Sequence, residues 1–304
     1  MRTGFVGAVE GSLRGLRALC DAGLAPALVV TLPPERAARH SDYADLAREA
    51  RRSGCEALQA SDVNDPATVA EIAARDLDLV LVVGWSQICR APFRRAGRLG
   101  AIGYHPALLP RMRGRAVIPW TILTGERETG STLFWLDDGV DSGDIVLQRR
   151  FPVGEDETAR SLYDKHLAAL AMMLPEALRL IAGGGAARIP QDHTRATWCA
   201  KRRPEDGVVD WRAPEADVLR LIRAVGDPYP GAFTWIDGQR LMIDGARAYP
   251  DGARHVALTG QVTALTDDGF AVRCGDGGCV EVVAWRSPNG ARPRLHEKLG
   301  DDPR

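Results

Sequence analysis

Two short stretches carry the residue types that could move protons. The first is GAIGYHPALLPRMRGRAVIPW, residues 100–120, where His105 follows an apolar run and precedes a loop rich in Pro, Arg and Gly. An imidazole exchanges protons near neutral pH, so it can act on an attacking or a leaving group. The second is WLDDGVDSGDIVLQ, which crowds Asp137, Asp138, Asp141 and Asp144 into eight residues around two glycines. That density is too high for a buried strand, and the spacing does not follow one helix face. As a Ca²⁺ loop the segment fails: the D-x-[DN]-x-[DN]-G frame and the glutamate at the twelfth position are both missing. As a polar turn it could offer one carboxylate to hold an imidazole in a fixed tautomer and orientation. From the residues alone, a structural or surface role for His105 stays open.

The elements that must position these groups alternate in type. TGFVGAV, PALVVTL and LDLVLVVG have the pattern of buried strands, while SLRGLRALCDAG, YADLAREARRSG and PATVAEIAARD have that of amphipathic helices. Repeated strand-helix-strand units predict a Rossmann-like parallel sheet with helices on both faces, and sites in such sheets form beyond the carboxyl ends of strands. Two loops therefore matter: GWSQICR after LDLVLVV, and HPALLPRMRGR after GAIGY. The glycines of VGAVEGSLRG lack both the G-x-G-x-x-G order and a Walker lysine, and a tight strand-to-helix turn explains them better. A long helical pattern over TARSLYDKHLAALAMMLPEALRLIAGG ends in glycines, residues 184–203 have the texture of a linker, and short strands with Gly and Asp turns follow. The expected fold class is α/β: a domain over 1–200 and a smaller β-rich, OB-like domain over 201–304.

Composition excludes several classes of function. The 304 residues carry 39 basic and 40 acidic side chains, a formal net charge of -1, with no long block of one sign. Neither a nucleic-acid arm nor a membrane surface is indicated, and the N-terminal MRTGFVGAVEGSLRGL is neither a signal peptide nor a spanning helix, so a cytoplasmic protein is expected. Cys20, Cys55, Cys89, Cys199, Cys274 and Cys279 show no C-x-x-C spacing and are expected as free thiols, with Cys274 and Cys279 bracketing a hairpin turn rather than a metal. His40, His166, His193, His255 and His296 have no partner pattern and read as structural or surface.

The segment YHPALLPRMRGRAVIPWTILTGERETGSTLFWLDDGVDSGDIVLQ resembles the core of the formyltransferase family, enzymes that use N10-formyltetrahydrofolate. H-x-[SA]-L-L-P, then R-G, W-x-I-x-x-G-E-x-x-T-G and D-x-G-x-D-[ST]-G-D-I occur in order, and RRPEDGVVDW and IRAVGDPYPGAFTWIDGQ resemble the family's C-terminal part. The resemblance spans methionyl-tRNA and sugar N-formyltransferases, and the active-site segment is also similar to the hydrolase domain of 10-formyltetrahydrofolate dehydrogenase. It implies His105 and Asp141, 36 residues apart, as catalytic residues. The family asparagine falls at position 103, where this chain has Gly103. That asparagine donates a hydrogen bond to the developing oxyanion, and losing such a donor costs about 2.7–4 kcal/mol.

Three outcomes follow from Gly103. Another donor, such as protonated His105, a backbone N–H or a water, sustains formyl transfer to the amine of a small-molecule acceptor. Alternatively, the vacated volume admits a water and the enzyme hydrolyses 10-formyltetrahydrofolate to formate; or the site binds folate without turnover. The resemblance further implies a folate pocket from Gly84, Trp85, Ser86, Gln87, Ile88, Leu109, Asp137, Asp138 and Gly139, although Trp85 could equally pack on the core. Tyr104, Arg113 and Arg115 are expected at the acceptor, their guanidinium forks suited to phosphate or carboxylate, with a solvated arginine loop as the alternative. No metal is expected, and the C-terminal domain could hold part of the acceptor or build a homodimer.

Overall fold

Short uninterrupted runs of Val, Leu and Phe are buried on both faces when they form the interior of a parallel sheet. In the computed structural model these runs become β1 (Thr3–Val6), β2 (Leu28–Thr31) and β4 (Leu79–Val82), every residue buried. The structure describes residues 1–39, 41–185, 188–287, 290 and 292–300; His40 lies outside them. In chain order, α1 (Glu10–Asp21), α2 (Leu46–Arg52), β3 (Glu56–Gln59), α3 (Pro66–Ala73), α4 (Ala91–Arg94) and β5 (Ala101–His105) complete the first half. β6 (Arg113–Gly114), α5 (Val117–Leu123), β7 (Glu128–Trp135), β8 (Ile145–Pro152), α6 (Ala159–Ala182) and β9 (Trp198–Cys199) follow.

Two compact units result. One comprises Met1–Val117, Arg127–Val153 and Tyr163–Lys201; the other comprises Ile118–Glu126, Gly154–Leu162 and Arg202–Arg304. In the first, seven strands are ordered β3-β2-β1-β4-β5-β7-β8. Pairing is parallel from β3 to β5 and antiparallel for β5 with β7 and β7 with β8, so the parallel sheet carries an antiparallel edge. Strand order reverses between β1 and β4, which is where a crevice opens in doubly wound sheets.

Alternation along the strands sorts side chains between two cores. Phe5, Val29, Leu81, Ile102 and Leu133 pack with Leu16, Leu46, Leu170 and Leu174 on one side, while Val6, Val30, Val80 and Ala101 pack with Ile72 and Phe93 on the other. Helices begin where short polar side chains can take up unpaired N–H groups. Asp45 accepts from Arg48 N at the start of α2, and Asp65 accepts from Thr68 N ahead of Pro66 in α3. The turn after β1 is closed by buried Ser12, whose Oγ accepts from Ala8 N and Val9 N and donates to Val83 O at 2.6 Å.

The second unit contains α7 (Glu215–Val225) and an antiparallel sheet of β10 (Ala232–Ile236), β11 (Gln239–Ala248), β12 (Val262–Leu265), β13 (Phe270–Arg273) and β14 (Cys279–Arg286), in the order β10-β11-β14-β13-β12. The Asp237-Gly238 pair closes β10 onto β11 with positive φ at both positions, the geometry of a two-residue hairpin. Five strands with register shifts in β11 and β12 give the small β-rich, OB-like domain. A 3₁₀ turn occupies Gly252–Arg254, and β12 starts only at Val262. Cys274 and Cys279 bracket the β13–β14 hairpin, and all six cysteines are free thiols. No helix among the described residues is long and apolar enough to cross a membrane.

Candidate active site

His105 is the last residue of β5 and is only 4 % exposed. Its ring lies between two acceptors: Nε2 is 2.7 Å from Met112 O, and Nδ1 is 3.5 Å from Asp141 Oδ2. A carbonyl oxygen only accepts, so Nε2 carries a hydrogen. The doubly protonated ring satisfies both neighbours at once, whereas the neutral ring leaves a lone pair facing the carboxylate. This arrangement faces one ring nitrogen with a carbonyl and the other with a carboxylate at the strand end.

Backbone conformation supplies both partners. Met112 and Asp141 are non-glycine residues in the left-handed region, with φ of 58° and 51°. Asp141 Oδ2 also accepts from Gly114 N at 2.8 Å. Gly114 reaches this position with φ of 103°, where a Cβ would come within 2.5 Å of Cys199 O, so only glycine fits. Strand β9 forces that approach: Gly114 pairs with Cys199, Arg113 N donates to Thr197 O at 2.8 Å, and Met112 N to Thr197 Oγ1 at 2.8 Å.

Gly103 shares a sheet face with His105, two residues along β5. An added Cβ would lie 2.7 Å from Leu136 Cδ2 and 3.1 Å from the Phe134 ring. The position where the family asparagine's Cβ would sit is therefore lined by apolar side chains. Its backbone pairs with Val82 of β4 on one side and Phe134 of β7 on the other.

Tyr104 is not brought to this set. Neighbours in a strand point to opposite faces, and its hydroxyl lies 2.9 Å from Ser131 Oγ, with Ser131 Oγ 3.0 Å from His166 Nδ1. Burial pushes the Tyr104 phenol well above its usual range, partly offset by the Ser131 hydrogen bond. Arg113 is also turned inward rather than toward an acceptor: it is 4 % exposed, its Nη2 donating to Gln191 Oε1 at 2.6 Å and lying 3.1 Å from His193 Nδ1. The flanking charge pattern of the loop hides this, because the return of the chain at 191–199 buries one arginine and leaves Arg115 exposed.

The two loops expected at the folate are tied to each other. Arg94 donates to Cys89 O at 2.7 Å and forms an ion pair with Asp138. Gln87 holds its own loop to the 61–64 turn, accepting from Val63 N and Trp85 Nε1 and donating to Ser61 O. Gly84 and Trp85 are half-buried, with Trp85 packed on the core, while Ser86 and Ile88 are exposed. Asp137 takes up Gly139 N and Ser142 Oγ, so the aspartates have separate partners. No group of three or more His, Cys, Asp or Glu among the described residues could hold a metal. Leu109 is buried, and its carbonyl accepts from Gln148 Nε2 at 3.1 Å.

Residues 27–178 match the formyl transferase family, and residues 201–297 match its C-terminal domain. A methionyl-tRNA formyltransferase of Symbiobacterium thermophilum is 37% identical over 276 residues, covering 90% of this chain and 84% of that one. The chain belongs to the formyltransferase family. Two solved structures add likeness in fold. HypX from Aquifex aeolicus in complex with tetrahydrofolic acid aligns with a TM-score of 0.66 at 21% identity, over 95% of this chain and 44% of HypX, so the chain spans under half of that protein. An N-formyltransferase from Helicobacter canadensis, in complex with folinic acid and dTDP-3-aminofucose, aligns with a TM-score of 0.67 at 15% identity, over 93% and 99% of the two chains.

Gln191 is the residue that motif reading missed. It lies in ARIPQDHTRATWCA, where no period or motif marks it, and only the tertiary return of the chain brings it to Asp141.

Proposed function

We propose that this formyltransferase-family member moves the formyl group of N10-formyltetrahydrofolate onto the amine of a small-molecule acceptor, with residues 1–200 as the catalytic domain. The observation that carries this reading is the buried His105 ring held between Met112 O and Asp141 Oδ2 at a strand end. The amine attacks the formyl carbon, an oxyanion forms, and the bond from carbon to the folate nitrogen breaks. One proton leaves the attacking nitrogen and one is needed on the departing nitrogen; His105 relays it, and its positive charge replaces the missing asparagine at the oxyanion. Asp141 compensates that charge. The Gly84–Ile88 loop, Leu109 and the Asp137–Gly139 turn form the folate pocket, supported by the Arg94–Asp138 tie between the loops.

Charge favours a small acceptor. Residues 201–304 carry 15 basic and 16 acidic side chains, and Arg212, Arg220, Arg247, Arg254 and Arg286 are each paired with Asp or Glu. RNA partners call for a basic face instead. Exposed Arg115 is available to an anionic acceptor group. The identity to methionyl-tRNA formyltransferases favours a second reading, with methionyl-tRNA as acceptor. Against the hydrolase reading stand Leu136 and Phe134, which line the position of the asparagine's Cβ.

Tetrahydrofolate release from N10-formyltetrahydrofolate, followed optically with and without an amine, tests this. Release only after adding a nucleotide-linked amino sugar or similar amine is expected. Rapid release without acceptor would make the protein a hydrolase, binding without release a folate-binding protein, and response to methionyl-tRNA alone the second reading.

A further inference from the structure

Gln191 lies fifty residues beyond Asp141, only 5 % exposed, and its amide is fully engaged. Its Oε1 accepts from Arg113 Nη2 at 2.6 Å, while its Nε2 donates to Asp141 O at 2.9 Å and to Gly143 O at 2.7 Å. A guanidinium can only donate and carbonyls can only accept, so one orientation of the amide satisfies all three contacts. The carbonyl it grips belongs to the residue held at φ of 51°. That left-handed turn is what directs Oδ2 onto Gly114 N and toward His105 Nδ1. The other end of the same amide holds Arg113, the neighbour of Met112, whose carbonyl faces His105 Nε2.

We propose that Gln191 is a positioning residue: one amide links the two backbone segments that present an acceptor to each nitrogen of the His105 ring. It touches neither the ring nor a reacting group and acts through Asp141 and Met112. The inference rests on the formyl-transfer reading for its kinetic consequence but not for its geometry. A glutamate of the same shape would still accept from Arg113, yet would turn a carboxylate oxygen toward the carbonyls of Asp141 and Gly143. Methionine keeps the length and removes every hydrogen bond.

The test uses the full chain labelled with ¹⁵N-histidine, in wild type, Gln191→Glu, Gln191→Met and Asp141→Asn, with circular dichroism to verify folding. The His105 ring signals of both Gln191 variants should move in the direction set by Asp141→Asn. In turnover, kcat should fall about 10- to 100-fold with little change in KM for the formyl donor, the signature of misplaced catalytic groups. A residue that served stability alone would lower the melting temperature and leave the His105 signals unmoved. Wild-type ring signals in a folded variant of either kind overturn the proposal. Should the wild type prove inactive as a transferase, the ring signals still decide the positioning role. The Met variant covers the case in which a buried carboxylate unfolds the chain.

Discussion

The first unit buries two histidines on opposite faces of one sheet. His105 is 4 % exposed and His166 is 2 % exposed, and each has a hydrogen-bond partner within 3.0 Å. Around His166 stand Ser131, the Tyr104 hydroxyl and the edge of Phe151, whose ring centroid is 4.9 Å away. Around His105 stand a backbone carbonyl, a carboxylate and a loop held in left-handed turns. Burial and hydrogen bonding do not separate a structural histidine from a chemical one. We propose that a facing charge at a strand end, on backbone that adopts a costly conformation, marks the chemical one.

Substituting each histidine should separate the two roles by the largest margin. His105→Ala should lose about 10²- to 10⁴-fold in kcat, the range for a proton-transfer group, with the fold intact by circular dichroism. His166→Ala should instead cost about 1–3 kcal/mol in urea unfolding, by removing a buried ring and one partner of Ser131, and leave kcat near wild type. Reversed outcomes would exchange the two assignments.

Gly103→Asn sharpens the boundary between the faces. An asparagine must push Leu136 and Phe134 aside, so stability should fall by about 1–3 kcal/mol, the usual cost of overpacking. Adding Leu136→Ala should recover most of that loss in the same unfolding assay. A single variant as stable as wild type would mean the volume is open, which would revive a water at that position.

Tyr104→Phe gives the smallest effect and a pH signature. Burial raises the phenol of the folded state, so its contribution is fully present below the unfolded value of about pH 10 and is lost as pH rises through the folded value. The wild type should therefore lose stability above about pH 10 more steeply than Tyr104→Phe. Parallel pH-stability curves would show that the phenol is not held neutral by the fold.

Much of this was readable beforehand, for definite reasons. Buried runs such as LVLV and the helix starts at Asp45 and Asp65 carry local signals. The strand Glu56–Gln59 carries none, being four residues long and half polar, and it forms only because β2 offers a free edge. His105 and Asp141 were marked by motifs at a fixed spacing, and the structure brings their side chains together. Tyr104, expected at the acceptor, points to the sheet face opposite His105, as the alternation within AIGYH dictates. The run 184–203 has linker composition, yet it supplies Gln191, Thr197 and Cys199 to the site; such contacts depend on where the chain returns, which no local pattern encodes.

We propose that the His105–Asp141 pair drives formyl transfer rather than hydrolysis or mere binding. A single-turnover experiment with ¹³C-formyl-labelled N10-formyltetrahydrofolate, in wild type and Asp141→Asn, tests it most directly. In the wild type the label should move to an added amine and stay on the folate without one; in Asp141→Asn the folate should bind and keep its label. Label released as formate by the wild type without acceptor, or transferred at the wild-type rate by Asp141→Asn, would rule this role out.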